Sequence, residues 1–384
     1  MAVGKISDIA AASCGKVKDV AAGSLAKIND VGYSAGAASH SDVWVLVGGA
    51  GRVGVSTDGQ NWTVGLTGHS NSTANRQLAF ANTGSYDEGL WMMAKGSNTM
   101  EIMWSEEKIP QLASGSWRSE NLDASRSNRA MCYDEHNGYF LAGAKTTSAN
   151  KTIPTSSYSA NSNDAAEGVW SGTGSHSDYT DGSTNQGNYT GKSIASDGEG
   201  LIMAGVSGGD DLIFGQHDGA HYNWSSGPGG VGTNFLGAGV AINCVAYGNG
   251  VWIVCGASGK MKRSVDDGAN WTEPDPGAGT SNLLGLSYGG AGDGAANVWI
   301  VVGNSGIISR STDQGANWTV IDGGHTTTLR GVAANGSGSW VACGDSGKLG
   351  FSDDDGASWT FGTSSYTGQH NDVVINRMLP LDPG

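Results

Sequence analysis

"STDQGANW", from Ser311 to Trp318, is one of four similar short stretches in this sequence. Near copies stand at Ser264–Trp271 (SVDDGANW) and Ser352–Trp359 (SDDDGASW), and a copy one residue shorter stands at Ser56–Trp62 (STDGQNW). The aspartate can accept hydrogen bonds from the backbone of its own turn, and the glycine allows a conformation that other residues avoid. The tryptophan adds a large apolar surface, so each copy predicts a turn anchored in a core.

The residues around these turns repeat as a longer unit. The stretches 251–272 (VWIVCGASGKMKRSVDDGANWT) and 298–319 (VWIVVGNSGIISRSTDQGANWT) each contain an apolar run with Trp, a G-x-x-G turn, a second run and the aspartate motif. The stretches 339–360 and 43–63 follow the same plan, and a further apolar run such as INCVAYG comes before the unit. Short apolar runs bounded by glycine-rich turns are typical of strands, so each unit predicts four of them.

More diverged units fill the middle of the chain, and the tryptophan of the last strand marks each one. Seven such residues lie about 50 positions apart: Trp62, Trp117, Trp170, Trp224, Trp271, Trp318 and Trp359. Four strands per unit at this period are typical of a β-propeller, in which sheets called blades surround a channel. We therefore predict an all-β fold, a seven-bladed β-propeller of four-stranded blades with a short N-terminal strand-like arm.

The aspartate motif resembles the Asp-box, or BNR repeat, of sialidases, other glycosidases, sortilin-type receptors and photosystem assembly propellers. The resemblance covers four units well and three poorly. It implies that the box is structural and lies away from any catalytic centre. Its structural residues would be the following pairs: Asp58 and Trp62, Asp266 and Trp271, Asp313 and Trp318, Asp354 and Trp359.

Composition narrows the classes of function. The formal net charge is −15 and the basic residues form no run, which argues against a nucleic-acid partner. We find no unbroken apolar stretch typical of a signal peptide or a membrane span, so folding in a reducing cytoplasm is expected. Five cysteines without a C-x-x-C pattern favour buried thiols over a disulfide framework.

The sequence gives little support for an enzyme. A sialidase-like site needs three arginines, a Tyr–Glu nucleophile and an Asp acid/base. The F/Y-R-I-P motif of that family is absent, and no pair of the nine arginines shares a repeat position that would suggest a triad. We expect no catalytic residues, no cofactor and no metal; a metal site at His217 and His221, in a turn, lacks further ligands. A glycosidase remains an alternative.

Three near copies of a five-residue pattern open the chain, with KISDI, KVKDV and KINDV beginning at Lys5, Lys16 and Lys27. The third aligns with first-strand runs, so we predict a strand at 27–33, an attachment arm at 1–26 and the propeller at 27–384. The run at 371–379 is predicted to close the first blade beside Trp44. Four apolar residues of the arm could add to a partner's sheet edge or groove: Ile6, Ile9, Val17 and Val20. The alternative is a flexible arm.

Residues 145–192 replace a short hairpin by a long loop rich in Ser, Thr, Asn and Gly. Long loops in compact domains are functional or disordered, and tyrosine gives large, rigid contacts at low entropic cost. The predicted binding residues are Tyr158, His176, Tyr179 and Tyr189. An equal alternative is a decoration that packs on a neighbour or stays in solvent.

These features together resemble phage virion fibre and capsid decoration proteins. The first functional hypothesis is a non-enzymatic virion structural or host-recognition module, located in the virion or otherwise in the cytoplasm. Its arm would bind other virion proteins in an oligomeric assembly, with a surface glycan as a candidate ligand. The second hypothesis is a propeller that binds another protein in the manner of an assembly factor.

Overall fold

The computed structural model describes residues 42–66, 74–81, 90–96, 100–105, 110, 112, 117–123, 127–145, 155–159, 190–207, 211–217, 222–227, 234–289 and 297–376. The chain divides into two compact units, 1–42 and 43–384, and the architecture below belongs to the second. Within the described ranges, none of the helices combines the length and apolarity that a membrane crossing needs.

The described residues form 26 strands. In chain order they are β1 (Trp44–Gly48), β2 (Arg52–Ser56), β3 (Thr63–Leu66), β4 (Ala74–Ala81), β5 (Leu90–Gly96), β6 (Met100–Ser105), β7 (Arg118–Asp123), β8 (Ser127–Asp134), β9 (Tyr139–Lys145), β10 (Thr155–Ser159), β11 (Thr190–Ser196), β12 (Leu201–Ser207), β13 (Asp211–His217), β14 (Tyr222–Ser225), β15 (Ile242–Gly248), β16 (Val251–Gly256), β17 (Met261–Ser264), β18 (Leu283–Gly289), β19 (Val298–Gly303), β20 (Ile308–Ser311), β21 (Thr319–Val320), β22 (Leu329–Ala334), β23 (Trp340–Gly344), β24 (Lys348–Ser352), β25 (Thr360–Thr363) and β26 (His370–Ile375). The G-x-x-G motifs form short 3₁₀ turns at Gly49–Gly51, Ala257–Gly259, Asn304–Gly306 and Asp345–Gly347.

The strands pair into antiparallel sheets that follow the repeat units. In the described residues these are β26-β1-β2-β3, β4-β5-β6-β7, β15-β16-β17, β18-β19-β20-β21, β22-β23-β24-β25, and a seven-stranded sheet that contains β8 to β14. The first strand of each repeat unit lies beside the first strand of the next unit, around one cavity. These first strands are β4, β8, β11, β15, β18, β22 and β26. The fold is therefore the predicted all-β propeller.

The predicted number of blades is wrong, because the described residues form six sheets and not seven. Two repeat units share the seven-stranded sheet, since β11 pairs with β9 through Thr190 and Lys145. Not every blade has four strands in the described residues. The sheet β15-β16-β17 has three, and a single isolated bridge between Arg263 and Thr272 takes the place of a fourth strand. The proline residues at 274 and 276 lack an N–H donor and so oppose a longer fourth strand there.

The predicted closure of the ring is confirmed. Strand β26 pairs antiparallel with β1, with Ile375 opposite Trp44. The other edge of β1 pairs with β2, so the sheet takes its four strands from 44–66 and 370–375. The strand predicted at 27–33 lies outside the described residues, and the boundary at residue 26 stays a prediction.

Buried side chains between neighbouring sheets make the core. The tryptophans of the second strands are completely buried: Trp44, Trp91, Trp252, Trp299 and Trp340. Burial of one such side chain contributes roughly 4–6 kcal/mol gross, as an upper value from 150–250 Å² of area. The repeated Trp therefore supplies a large share of the attraction between sheets.

A disulfide joins Cys244 and Cys255 at directly paired positions of β15 and β16, and the expectation of free thiols is wrong here. At the position of Cys244, the two following units carry Gly285 and Gly331. The pair becomes visible only after the two strands are placed in register. Cys132 and Cys343 are buried free thiols.

Candidate functional site

The aspartate turns, defined as Ser56–Trp62, Ser264–Trp271, Ser311–Trp318 and Ser352–Trp359, share one hydrogen-bond pattern. In the third, the Ser311 hydroxyl donates to Asp313 at 2.8 Å, and the Asn317 backbone N–H donates to the same carboxylate at 2.9 Å. The Gly315 N–H donates to Ser311, and the Trp318 indole N–H donates to the Gly315 carbonyl at 3.0 Å. The other three turns repeat these bonds with equivalent residues.

Hydrogen bonds to the carboxylates shift their titration. Partial burial raises the pKa of Asp58, but donors from Asn61, Gln60 and Ser56 outweigh it and bring the pKa to about 2. The same balance of burial against hydrogen bonds lowers the pKa of Asp313. The carboxylates of these turns are therefore held in the charged form by local structure, as expected for a staple rather than for a proton donor.

Each aspartate turn also contacts the preceding sheet. Gly315 has a φ of +78°, which favours glycine, and a Cβ at this position would lie 2.4 Å from Cδ1 of Ile253, so this side chain would have to shift. The guanidinium Nε of Arg263 on β17 donates to the Gln314 carbonyl at 2.6 Å. The matching contact of the next sheet joins Arg310 to the Asp355 carbonyl at 2.7 Å. These turns and arginines thus fasten neighbouring blades to each other.

The central cavity has a volume of about 140 Å³ and is surrounded by first strands. Its described lining comprises Gln77, Ser193, Asn243, Cys244, Val245, Leu284, Gly285, Leu286, Arg330, Gly331, Val332, Asn371 and Asp372. Among these residues there is no Glu and no Tyr, the types that a sialidase-like site needs. The described residues also contain no group of three His, Cys, Asp or Glu side chains that could hold a metal ion.

Several lining side chains connect one first strand to the next. The Ser193 hydroxyl accepts from the Val245 N–H at 3.0 Å, and Gln77 accepts from the Met131 N–H at 3.1 Å. Asn243 donates to the Leu283 carbonyl at 2.9 Å. These polar groups satisfy backbone groups beside the cavity and hold its wall in place.

Asp372 makes the equivalent connection with a titratable group. Its carboxylate accepts from the Leu78 N–H at 3.1 Å and from the Val373 N–H at 2.9 Å. Burial raises the pKa of Asp372 to about 7, although both backbone donors lower it. Nearby, Arg330 is paired with Asp345 through contacts of 2.7 and 3.1 Å.

A one-residue β-bulge interrupts every first strand at the same repeat position, next to the cavity. The residues skipped by the pairing, here called the bulge positions, are Arg76, Arg129, Lys192, Asn243, Leu284, Arg330 and Asn371. Three of these positions hold arginine, Arg76, Arg129 and Arg330. The repetition is not apparent in the first-strand runs unless their register is correct to one residue.

A second concavity, of about 450 Å³, lies between the last sheet and the first. One wall is the aspartate turn at Gly59–Trp62, and the other consists of β24, β25 and the residues beside them. Trp62, Phe351 and Phe361 line it together with hydroxyl groups of Ser and Thr residues. Aromatic faces beside hydroxyl and amide groups suit a ligand with both apolar and polar surfaces.

The predicted binding and attachment residues are mostly outside the described ranges. This holds for His176, Tyr179, Tyr189 and all four apolar residues of the arm: Ile6, Ile9, Val17 and Val20. Tyr158 lies in β10, where its backbone pairs with Phe140. Residues 145–192 are thus not entirely loop, because β10 and the start of β11 belong to the seven-stranded sheet.

Comparisons with known proteins define the class as a β-propeller. No protein-family model matches the chain, and no curated protein matches its sequence. Among solved structures, the chain is similar to YCF48 bound to D1 peptide, with a TM-score of 0.54 and 13% identity over 85% of this chain and 89% of that one. It is also similar to Raptor of Chaetomium thermophilum, with a TM-score of 0.50 and 11% identity over 85% of this chain but only 27% of that one.

Proposed function

We propose that this protein is a non-enzymatic binding module whose propeller holds an extended segment of a partner protein at the central cavity. The observation that carries the proposal is the convergence of side chains from successive first strands on one opening. The single carboxylate of its described lining, Asp372, already accepts two backbone hydrogen bonds. The wall is therefore built to be rigid, which lowers the entropic cost of binding.

The size of the opening favours a chain segment over a compact ligand. Small-molecule pockets usually occupy ~300–1,000 Å³, whereas this cavity has about 140 Å³. One side chain or chain end fits such a volume, while flanking residues would rest on the surrounding loops. The similar YCF48 structure is described as bound to a peptide, which supports the same type of ligand here.

The proposal is tested by selecting peptides that bind the full chain from a random display library. Leu284 is half-buried and lines the cavity, so Leu284→Trp should fill the opening and abolish binding of the selected peptides. Val320→Trp is the matched control, because Val320 is 48% exposed on the outer strand β21. Peptides that bind both variants as well as the wild type would refute the cavity as the site.

A second candidate is a virion structural or host-recognition role with attachment through residues 1–26. The observation that favours it is the pairing of β26 with β1, because the first sheet takes its four strands from residues 44–66 and 370–375. The second concavity, lined by Trp62 and Phe361, would then bind a surface glycan. Truncation before Ser24 should leave a folded propeller that no longer co-sediments with the virion. Full incorporation of the truncated chain into the virion would exclude attachment by the arm. If the protein binds no glycan on a glycan array, the second concavity is not a glycan site.

A further inference from the structure

The outer edge of the sheet β15-β16-β17 is open where another unit has a complete fourth strand. In that unit, β25 pairs with β24 along its whole length, and its last two residues lie opposite Leu349 and Lys348. Met261 and Lys260 hold these two positions on β17. The described pairing on this edge of β17 is the single bridge at Arg263, so no strand of the described residues lies opposite the two positions.

The backbone of Met261 faces the open edge with both of its polar groups. Arg263 exchanges two backbone hydrogen bonds with Thr272, at 2.9 and 2.8 Å. Bonded and unbonded residues alternate along an antiparallel ladder, so the N–H and C=O of Met261, two positions away, point to the same edge. Within the described ranges, neither group has a hydrogen-bond partner on that side.

Two proline residues explain why the chain does not close this edge itself. In two other units, the N–H groups of Ile321 and Ser364 donate to carbonyls of the third strand or of the turn before it, at 2.9 Å in each case. Pro274 and Pro276 hold the same repeat positions after the aspartate turn. Because proline has no N–H, neither residue can supply the donor that a fourth strand needs here.

A groove lies in place of the missing half of the fourth strand. Its volume is about 310 Å³, and it is lined by 258–262 on one side and by 273–276 on the other, together with Leu236 and Gly279. Two residues of an extended chain span roughly 7 Å, at ~3.3 Å per residue. The groove therefore has room for the two strand positions that the chain leaves empty.

The lysines of the groove indicate the charge of its ligand. Lys262 is already bound to Glu273, with Nζ and Oε1 3.3 Å apart. Lys260 is exposed, and no carboxylate of the described chain is paired with it. Asp275 holds the repeat position that would face Lys260, but its carboxylate accepts from the Gly277 N–H at 2.8 Å instead. An acidic residue is therefore missing opposite Lys260.

We infer that the open edge of β17 binds an extended segment of another protein, which fills the two missing positions of the fourth strand. The residue opposite Met261 is small, because glycine holds this position in two completed sheets, as Gly362 and Gly65. The next residue of the segment is acidic and pairs with Lys260. In such strand addition, main-chain hydrogen bonds give affinity and side chains give specificity. The site shares no lining residue with the central cavity and does not depend on the function proposed for it.

The test titrates capped peptides into the isotope-labelled full chain and follows the Met261 amide by NMR. The probe is Thr-Val-Gly-Glu-Val-Thr; a second peptide has Gln in place of Glu, and a third has N-methylglycine in place of Gly. The probe should shift the Met261 amide signal and slow its hydrogen exchange. The Gln peptide should bind roughly threefold more weakly, and the N-methylated peptide roughly threefold or more, because it lacks the donor to the Met261 carbonyl.

Matched variants locate the site. Pro274→Ile with Pro276→Ser restores the donors that other units have, so this variant should complete its own strand, melt at a higher temperature and no longer bind the probe. Lys260→Gln should bind the probe as weakly as the wild type binds the Gln peptide. Lys348→Gln is the control at the same repeat position of a completed sheet and should leave the affinity unchanged.

The inference is overturned if the probe does not shift the Met261 amide, or if the N-methylated peptide or the double proline variant binds as well as its unmodified counterpart. An equal effect of Lys260→Gln and Lys348→Gln would also overturn it. Self-association of the wild type that the double proline variant abolishes would assign the edge to a second copy of this chain. Leu284→Trp, which fills the central cavity, should leave probe binding unchanged, so the two sites fail or stand separately.

Discussion

The carboxylate of Asp372 accepts a hydrogen bond from the backbone N–H of Leu78 at 3.1 Å, across 294 positions of sequence. Asp372 lies on β26, the strand that closes the first sheet, and Leu78 lies on β4, the first strand of the second. Gln77 and Ser193 make the same connection further around the ring with neutral groups. The closing joint thus differs from these two described joints in carrying a titratable group.

The first prediction concerns the pH dependence at this joint. Burial raises the pKa of Asp372 from 3.8 to about 7, so the folded state binds a proton more tightly than the unfolded chain. Its contribution is complete below pH 4 and is lost as pH rises through 7, by up to roughly 4 kcal/mol. The stability of the wild type relative to Asp372→Asn should fall by this amount between pH 4 and pH 8.

Urea titrations of both proteins across this range give the difference directly. Taking the difference between the two proteins also cancels the pH-dependent contributions of other groups. One of these groups is His370, whose pKa is lowered to about 4 by burial. A difference that stays flat between pH 4 and pH 8 would contradict the prediction.

The second prediction concerns the aspartate turns. Trp318 packs partly buried against a cluster that contains Ile253 and Trp299. Trp318→Ala should lower the free energy of unfolding by ~2–4 kcal/mol, and Asp313→Ala by ~1–3 kcal/mol through lost turn hydrogen bonds. Val320→Ala, on the exposed outer strand, should cost far less. Unchanged denaturant midpoints for the first two variants would show that the turn does not anchor the sheet.

The sequence predicts those parts of the fold that depend on local pattern. The Trp-led runs and the aspartate motif recur within each unit, so strands and turns can be read from neighbouring residues. Sheet pairing over long distance is different, because nothing near Lys145 indicates that its strand meets Thr190 of the next unit. The number of blades was therefore not predictable from the number of repeats.

The candidate site depends even more on register. The bulge positions of successive first strands share one backbone register position, which is found only when each strand is aligned to within one residue. A shift of one position moves a side chain to the other face of a strand, so an approximate alignment does not show which residues line the cavity. The burial of Asp372 is likewise a property of the closed ring and not of its neighbours in sequence.

The third prediction concerns the arginine between blades. Arg310 donates from Nε to the Asp355 carbonyl, which belongs to the aspartate turn of the following sheet. Arg310→Ala should lower the free energy of unfolding by ~1–3 kcal/mol, because a charge-assisted bond to a half-buried carbonyl is lost. Arg310→Gln, which keeps a side-chain donor, should lose less. Equal midpoints in chemical denaturation for wild type and Arg310→Ala would refute a clamping role.

The fourth prediction concerns the disulfide. Cys244 and Cys255 are 11 positions apart, so the crosslink closes a short loop and should stabilise the fold by ~2–3 kcal/mol. Alkylation of the denatured, unreduced protein followed by peptide mass spectrometry should label Cys132 and Cys343 but neither of the paired cysteines. A reducing agent should lower the melting temperature of the wild type and leave the double alanine variant unchanged. Full labelling of Cys244 without reduction would disprove the pairing.

The last prediction concerns closure of the ring. Strand β26 fills one edge of β1, buries Val373 and Ile375, and supplies Asp372 to the next sheet. Deletion of residues 369–384 should remove roughly 3–6 kcal/mol of apolar burial from these two side chains alone, and it leaves the edge of β1 without its partner. The shortened chain should therefore melt far below the wild type and expose apolar surface to a dye such as ANS. Truncation after Asn376 is the control, since it keeps β26 and the hydrogen bonds between Asn376 and Val43. If the longer deletion melts at the same temperature as the control, β26 does not hold the ring closed. The closed ring could then not be the cause of the burial that raises the pKa of Asp372.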